Sequence, residues 1–242
     1  MKLKIGGATV NQIPFDWAHN SKNIIDAIEE ARKQGIKILC LPELCITGYG
    51  CEDLFLSDWL PERAWTELLY IRNFCEDITV TVGLPLGVGT IVYNGACVIS
   101  NKKILGITLK QFLARDGVHY EPRWFGPWPP NKIINLVKGD VTTQAGDIIY
   151  EAEGIRFGFE ICEDGWRDED RPGYRLFERG VHVIFNPSAS HFAMVKSLLR
   201  EKEVVNEASA LFKCVYVFAN LLGNEAGRMI YDGDIIIGQH GK

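Results

Sequence analysis

The sequence predicts an α/β fold built around a mixed sheet. Three observations carry that expectation. Continuous apolar runs, such as residues 36–41, read as strands buried on both faces. Segments with apolar residues at helical spacing alternate with those runs. Two β-branched runs over 91–100 and 103–109 flank Asn101-Lys102, which reads as a hairpin. Strand–helix alternation implies parallel pairing and the hairpin implies antiparallel pairing, so the sheet is mixed.

The elements follow in order. A first strand covers residues 2–10, with Leu3, Ile5, Thr9 and Val10 around the small Gly7. Asn20 and Ser21 offer N-cap oxygens to a helix in which Ile24, Ile25, Ala27, Ile28 and Ala31 recur at helical spacing, and Gly35 closes it. The buried strand over 36–41 comes next. A second helix is expected over 62–73, then a strand over 78–83 and the hairpin. Residues 111–130 show no period, but Tyr120, Trp124, Phe125 and Trp128 argue for a packed, ordered loop. Strands over 148–152 and 155–161 are separated by Glu153-Gly154. A helix including 174–179, a buried strand over 181–185, a long helix over 196–212 and a strand over 213–219 complete the alternation. Residues 228–237 alternate around Gly233 as one or two strands, and 238–242 read as a turn.

Composition narrows the class. Hydrophobic residues are 47% of the 242 and charged residues 24%, which excludes disordered and fibrous proteins. No repeat, low-complexity tract or linker interrupts the chain, so one domain over 1–242 is expected. The net charge of −5 argues against a nucleic-acid partner. No apolar run approaches a membrane span, and Gly6, Gly7 and Asn11 break up any signal-type core. No membrane partner and a cytoplasmic location are therefore the expectation. Seven cysteines, an odd count at this length, fit a reducing compartment better than a disulfide framework. Cys40, Cys45 and Cys51 lack the paired spacing of zinc ligands, and the five histidines form no ligand pattern, so no metal site is expected.

Three residues end apparent strands with chemistry in hand. Glu43, in Leu41-Pro42-Glu43, places a carboxylate where open α/β sheets form their ligand crevice. Lys110, after Thr108-Leu109, places a cation suited to an oxyanion. Cys162, in Ile161-Cys162-Glu163-Asp164-Gly165, places a thiol at a strand-to-loop turn. Each alone is ordinarily a loop carboxylate, a surface lysine or a small core hydrophobe. Glu160, Glu163 and Asp164 would raise the thiol pKa, so a nucleophilic Cys162 needs a base and a cation, and Glu43 and Lys110 are the matching groups.

The conjunction of Glu, Lys and Cys in that order resembles the nitrilase, or carbon–nitrogen hydrolase, superfamily, and within it the glutaminase domains of glutamine-dependent NAD synthetases. The segments carrying the resemblance are LPELCITGYGCEDLF (41–55), KQFLA (110–114), YEPRWF (120–125), GFEICEDGW (158–166), NPSASH (186–191) and YDG (231–233). They cover nearly the whole chain. The resemblance implies a four-layer αββα sandwich. It implies Cys162 as nucleophile, Glu43 as general base and then acid, Lys110 on the oxyanion, and Glu121 as a supporting carboxylate. Glu163, Ser190 and Lys196 fall where such domains grip glutamine, and Tyr49 where they have a pocket tyrosine. Lys196 is a departure if arginine is usual there, since a bidentate grip becomes a point charge. The loop at Asp116-Gly117-Val118 also differs from some relatives.

What the resemblance implies for function is release of ammonia from L-glutamine for NAD synthesis from deamido-NAD, in a homo-oligomer. No cofactor is expected in this domain. ATP and deamido-NAD belong to a synthetase domain, whose Ser-Gly-Gly-x-Asp-Ser loop has no match here, since Gly6-Gly7 is followed by Ala8-Thr9. The chain is accordingly expected to lack that domain and to end short of the sandwich's usual finish. A free-standing amidase for another small amide and a non-catalytic assembly module are the alternatives.

Overall fold

The computed structural model describes residues 3–225 and 228–242. Met1, Lys2, Ala226 and Gly227 lie outside the described residues, and with Lys2 the expected start of the first strand. The strands are β1 (Ile5–Gly7), β2 (Ile38–Cys40), β3 (Thr79–Val88), β4 (Ile91–Ser100), β5 (Lys103–Leu109), β6 (Ile133–Lys138), β7 (Val141–Gly146), β8 (Tyr150–Ala152), β9 (Ile155–Phe159), β10 (Val183–Ser188), β11 (Val215–Asn220), β12 (Leu222–Asn224), β13 (Ile230–Asp232) and β14 (Ile235–Gln239). The helices are α1 (Trp17–Lys33), α2 (Trp59–Arg72), α3 (Glu121–Trp124), α4 (Gly173–Glu178) and α5 over 196–211, which is π-wound over Arg200–Asn206.

The strands form a seven-stranded sheet in the order β1-β2-β3-β4-β5-β7-β6 and a five-stranded sheet in the order β14-β11-β10-β9-β8, with β12 and β13 paired separately. Both large sheets are mixed. β1, β2 and β3 run parallel, whereas β3-β4-β5 is an antiparallel meander. β9, β10 and β11 run parallel and β14 pairs antiparallel to β11.

Period-two alternation explains how the sheets stack. Ile38 and Cys40 of β2, with Ala96 and Val98 of β4, meet Phe157, Phe159, Val183, Phe185, Val217 and Ala219 of the second sheet in one buried core. The residues between them point the other way. Leu39, Val80 and Val82 pack under Ile24 and Ile28 of α1 and Leu68 and Ile71 of α2. Ile184, Tyr216 and Phe218 pack under Leu176 of α4 and Val204, Val205, Ala208 and Phe212 of the α5 region. The layers are therefore helix, sheet, sheet, helix, as the resemblance implied.

Several boundaries differ from the sequence reading, each for a tertiary reason. α1 begins at Trp17 with Asp16 as its N-cap, whose carboxylate accepts from His19 N. Asn20 and Ser21 are instead buried inside the helix: Asn20 accepts from Ile13 N at 2.9 Å and donates to Ile46 O at 3.2 Å, and Ser21 donates to Glu67 at 2.8 Å. α2 starts at Trp59 rather than residue 62. β3 runs on through the glycine-rich stretch to Val88. The β6–β7 hairpin has no counterpart in the sequence reading. The region after 228 makes two strands, and Gly238 and Gln239 belong to β14 rather than to a turn. Within 111–130, Trp124, Phe125 and Trp128 are buried as expected, but Tyr120 is exposed.

Phe185 is fully buried between the sheets, its ring 5.5 Å from that of Phe157. Phe185→Ala is expected to destabilise the protein by about 3–5 kcal/mol, read as a shift in the urea midpoint. A shift near zero would mean that the inter-sheet core does not support the fold.

Candidate active site

Four loops at the C-terminal ends of strands converge on one place. Glu43 follows β2, Lys110 follows β5, Cys162 follows β9 and Ser190 follows β10. The Glu43 loop crosses β3 so closely that a Cβ on Gly83 would lie 2.3 Å from Leu44 N and 2.6 Å from Pro42 O. Only glycine lets the strand pass there.

Glu43, Lys110, Glu121 and Tyr49 form one buried hydrogen-bonded cluster. Lys110 Nζ donates to Glu43 Oε1 at 2.6 Å and to Glu121 Oε1 at 2.8 Å, with all three side chains fully buried. Glu43 also accepts from Asn94 Nδ2 at 2.7 Å and from Ala189 N at 2.9 Å. Glu121 accepts from Ala114 N and from the Tyr49 hydroxyl, both at 2.9 Å. The Tyr49 backbone is fixed by Glu225, whose carboxylate accepts from Tyr49 N at 3.0 Å and from the Tyr231 hydroxyl at 3.1 Å.

The electrostatics follow from one cation between two carboxylates. Burial disfavours the Lys110 charge, yet Glu121 and Glu43 outweigh it and hold the ammonium pKa well above its ordinary value. Glu43 moves up, first through burial and then through the like charge of Glu121, with Lys110 opposing. A carboxyl raised in this way takes up a proton more readily than a solvated one.

Cys162 opens a tight turn over Cys162–Trp166 with its own φ at +47°. That left-handed conformation is uncommon for a residue with a Cβ and concentrates at functional turns. Asp164 holds the turn: its carboxylate accepts from Ile161 N at 2.9 Å, and from Gln111 N at 3.1 Å and Phe112 N at 2.7 Å in the lysine loop. One side chain thus joins the thiol-bearing turn to the lysine-bearing loop. Burial pushes the Cys162 thiol well up, Glu43 adds to that, and Lys110 opposes it. Glu163 acts on the thiol more weakly. Glu160, counted from sequence with the thiol's anionic neighbours, is taken up elsewhere: it pairs with Arg171 and accepts from Tyr216 at 2.7 Å and Gly173 N at 2.6 Å.

Cys162 lines a cavity of about 210 Å³ with Ala114, Asp116, His119, Glu163, Trp166, Ser190, His191 and Lys196. Three of the residues expected to grip a substrate, Glu163, Ser190 and Lys196, thus share a wall with the thiol. Tyr49 lies behind it, bonded to Glu121. Glu163 is held by Arg167 at 2.5 Å, and burial raises its carboxyl pKa. Ser190 is buried, and its oxygens accept from Arg200 Nη2 at 3.0 Å and 3.2 Å. Lys196 Nζ lies 3.2 Å and 3.4 Å from the two His191 ring nitrogens, and burial lowers its pKa. Asp116, flagged as a departure, also lines the cavity.

The sequence reading missed His119, His191 and Arg200. His119 Nδ1 is 3.1 Å from the Tyr49 hydroxyl, and its Nε2 is 3.1 Å from His191 Nδ1. Arg200 is fully buried and pairs with Asp232 at 2.5 Å and Asp234 at 2.8 Å, pinning the 190–191 loop. Its place in the middle of an amphipathic helix gave no local signal of burial. Among the described residues, no group of three or more His, Cys, Asp or Glu side chains is placed to hold a metal ion, and no helix is long and apolar enough to cross a membrane. All seven cysteines are free and buried.

Known proteins resemble this chain in sequence and fold. The family model described as carbon-nitrogen hydrolase matches residues 4–242. A glutamine-dependent NAD(+) synthetase of Dictyostelium discoideum is 32% identical over 97% of this chain and 34% of its own length. One of Arabidopsis thaliana is 31% identical over 96% of this chain and 33% of its own length. The chain thus spans about a third of the length of these curated relatives. The crystal structure of a glutamine-dependent NAD(+) synthetase from Cytophaga hutchinsonii superposes with a TM-score of 0.93 at 51% identity, over all of this chain and 40% of that one. An amidase from Nesterenkonia sp. shares the fold, with a TM-score of 0.81 at 20% identity over 99% of this chain and 83% of that one. The chain belongs to the carbon–nitrogen hydrolase family.

His119 provides a test of this packing. Burial pushes its pKa from 6.5 down to about 4. Above pH 6.5 the ring is neutral in both folded and unfolded chains and the linkage vanishes. As the pH falls from 6.5 towards 4 the unfolded chain binds the proton first, so stability drops. The drop attributable to this ring is up to about 1.4 kcal/mol per pH unit. Urea titrations of the parent and His119→Asn across that window should show the parent falling more steeply. Parallel slopes would show that the ring is not held neutral.

Proposed function

We propose that this carbon–nitrogen hydrolase is a glutamine amidohydrolase, releasing ammonia from L-glutamine through a Cys162 thioester. The observation that carries the reading is the buried Glu43–Lys110–Glu121 cluster acting on a thiol that lines a small polar cavity. At about 210 Å³ the cavity is smaller than drug-sized pockets and suits a small amide. The glutamine specificity is supported by the names of the relatives. The same support extends to the wider role, in which ammonia passes to a synthetase domain that uses ATP and deamido-NAD. Homo-oligomeric assembly and a cytoplasmic location belong to the same reading.

In this reading the carboxamide carbon sits against the Cys162 sulfur. The thiol proton passes to Glu43 as the sulfur–carbon bond forms and the carbonyl electrons move to oxygen. Lys110, a cation whose charge acts on the thiol, stabilises that oxyanion together with a backbone N–H near Glu163. Glu43 then protonates the amide nitrogen, the carbon–nitrogen bond breaks and ammonia leaves. In the second half Glu43 takes a proton from water, the resulting nucleophile attacks the thioester, and the thiolate leaves and recovers its proton. Glu121 makes this cycle workable by keeping Lys110 charged while Glu43 changes state. The polar wall divides the rest of the substrate by charge: Asp116 and Glu163 suit the α-ammonium and Lys196 the α-carboxylate.

Cys162→Ala is expected to lower ammonia release from glutamine by at least about 10³-fold, and Lys110→Met by about 10²–10³-fold. A coupled ammonia assay measures both. In the parent, glutamine should exceed asparagine, other ω-amides and N-carbamoyl acids in kcat/KM. Ammonia release by Cys162→Ala at the parent rate would rule out the thioester, and a preference for another amide would rule out glutamine.

A further inference from the structure

We propose that His119 and His191, with Tyr49, form a hydrogen-bond relay in which every proton points from His191 towards Glu121, with the Lys196 ammonium against the His191 ring, making the two imidazoles positioning residues for the substrate grip and the Lys110 cluster together. The proposal rests on the reading that Lys196 receives the substrate carboxylate.

The direction of each bond follows from counting hydrogens. Glu121 as a carboxylate only accepts, so the single Tyr49 hydroxyl proton goes to it, at 2.9 Å. The Tyr49 oxygen is then an acceptor, and the nitrogen facing it at 3.1 Å, His119 Nδ1, must carry a proton. A neutral His119 therefore has a bare Nε2. Its partner at 3.1 Å, His191 Nδ1, must donate. A neutral His191 then has a bare Nε2, and Lys196 Nζ, 3.2 Å from Nδ1 and 3.4 Å from Nε2, lies against the ring between the two nitrogens rather than on either lone pair. Both imidazoles are thereby fixed as Nδ1–H tautomers.

The surroundings favour two neutral rings. Around His119 stand Tyr49, Glu121, Lys110, His191 and Lys196, and burial is the largest influence, pushing its pKa down. Around His191 stand His119, Lys196, Arg200, Asp116 and Asp232, and burial with the two nearby cations lowers it too. The one nitrogen open to a further proton is His191 Nε2. A proton there sets a second cation against Lys196. The ammonium is then repelled from the ring it lies against. Acid therefore weakens the substrate grip through His191 as well as taking up the Glu43 base.

Two measurements test this. Ring ¹⁵N shifts of the labelled protein at pH 7, with no substrate present, should show both histidines neutral and protonated on Nδ1. A proton on Nε2 of either ring overturns the relay, whatever the enzyme hydrolyses. Steady-state kinetics with glutamine from pH 7 to pH 4.5 should show KM climbing by up to about tenfold per pH unit below the His191 titration, with kcat falling separately as Glu43 takes up its proton. In His191→Asn, whose amide keeps a donor towards His119 but does not titrate, KM should stay flat over the same window. A flat KM in the parent, or an unchanged climb in His191→Asn, overturns the coupling. Failure of the glutaminase reading itself appears separately, as ammonia release that survives Cys162→Ala.

Discussion

One ammonium shared by two carboxylates, all three out of water, is the constraint from which the rest of this site follows. A buried ion pair repays its desolvation only when its geometry is close and its remaining lone pairs are filled. Every neighbour of Lys110 serves that condition. Asn94 and Ala189 N fill Glu43, and Ala114 N and Tyr49 fill Glu121. These donors come from β4, from the loops after β5 and β10, and from the loop after Glu43. The cluster can therefore exist only if both sheets are in register. The inter-sheet core of Phe157, Phe159, Val183 and Phe185 supplies that register.

The same constraint governs the chemistry. Burial raises Glu43 and the Cys162 thiol together, the neighbouring carboxylates add to it and Lys110 opposes it. Such a site does not store a free thiolate. It keeps the proton on sulfur and offers a base beside it, so that charge moves only when an electrophilic carbon arrives. Asp164 is what makes this offer geometric, because its carboxylate spans the thiol turn and the lysine loop. Arg200 plays the corresponding part for the loop that carries Ser190 and His191.

Much of this was legible in the sequence because it is written in local pattern. Apolar runs ending in Glu43, Lys110 and Cys162 mark strand ends, and strand ends of open sheets make crevices. What escaped the sequence depends on contacts between distant segments. Asn20 and Ser21 look like caps until Ile13, Ile46 and Glu67 claim their side chains. The β6–β7 hairpin mixes Asn135, Thr142, Thr143 and Gln144 into its strands, which blurs the alternation that identifies one. His119 and His191 lie 72 residues apart, so no spacing rule pairs them. Arg200 sits on a helix whose neighbours look solvated, and Asp232 and Asp234 from the far end of the chain, with the Ser190 and His191 carbonyls, explain its burial.

The central claim is that the Cys162 proton leaves to Glu43. The most direct test is the rate of Cys162 alkylation by iodoacetamide across pH, in the parent and in Glu43→Gln, followed by peptide mass. The account expects the parent to react at neutral pH through base assistance, and Glu43→Gln to react about 10²–10⁴-fold more slowly until the pH is high enough to ionise the thiol directly. Equal rates in the two proteins near pH 7 would mean that the thiolate forms without Glu43, and would contradict it.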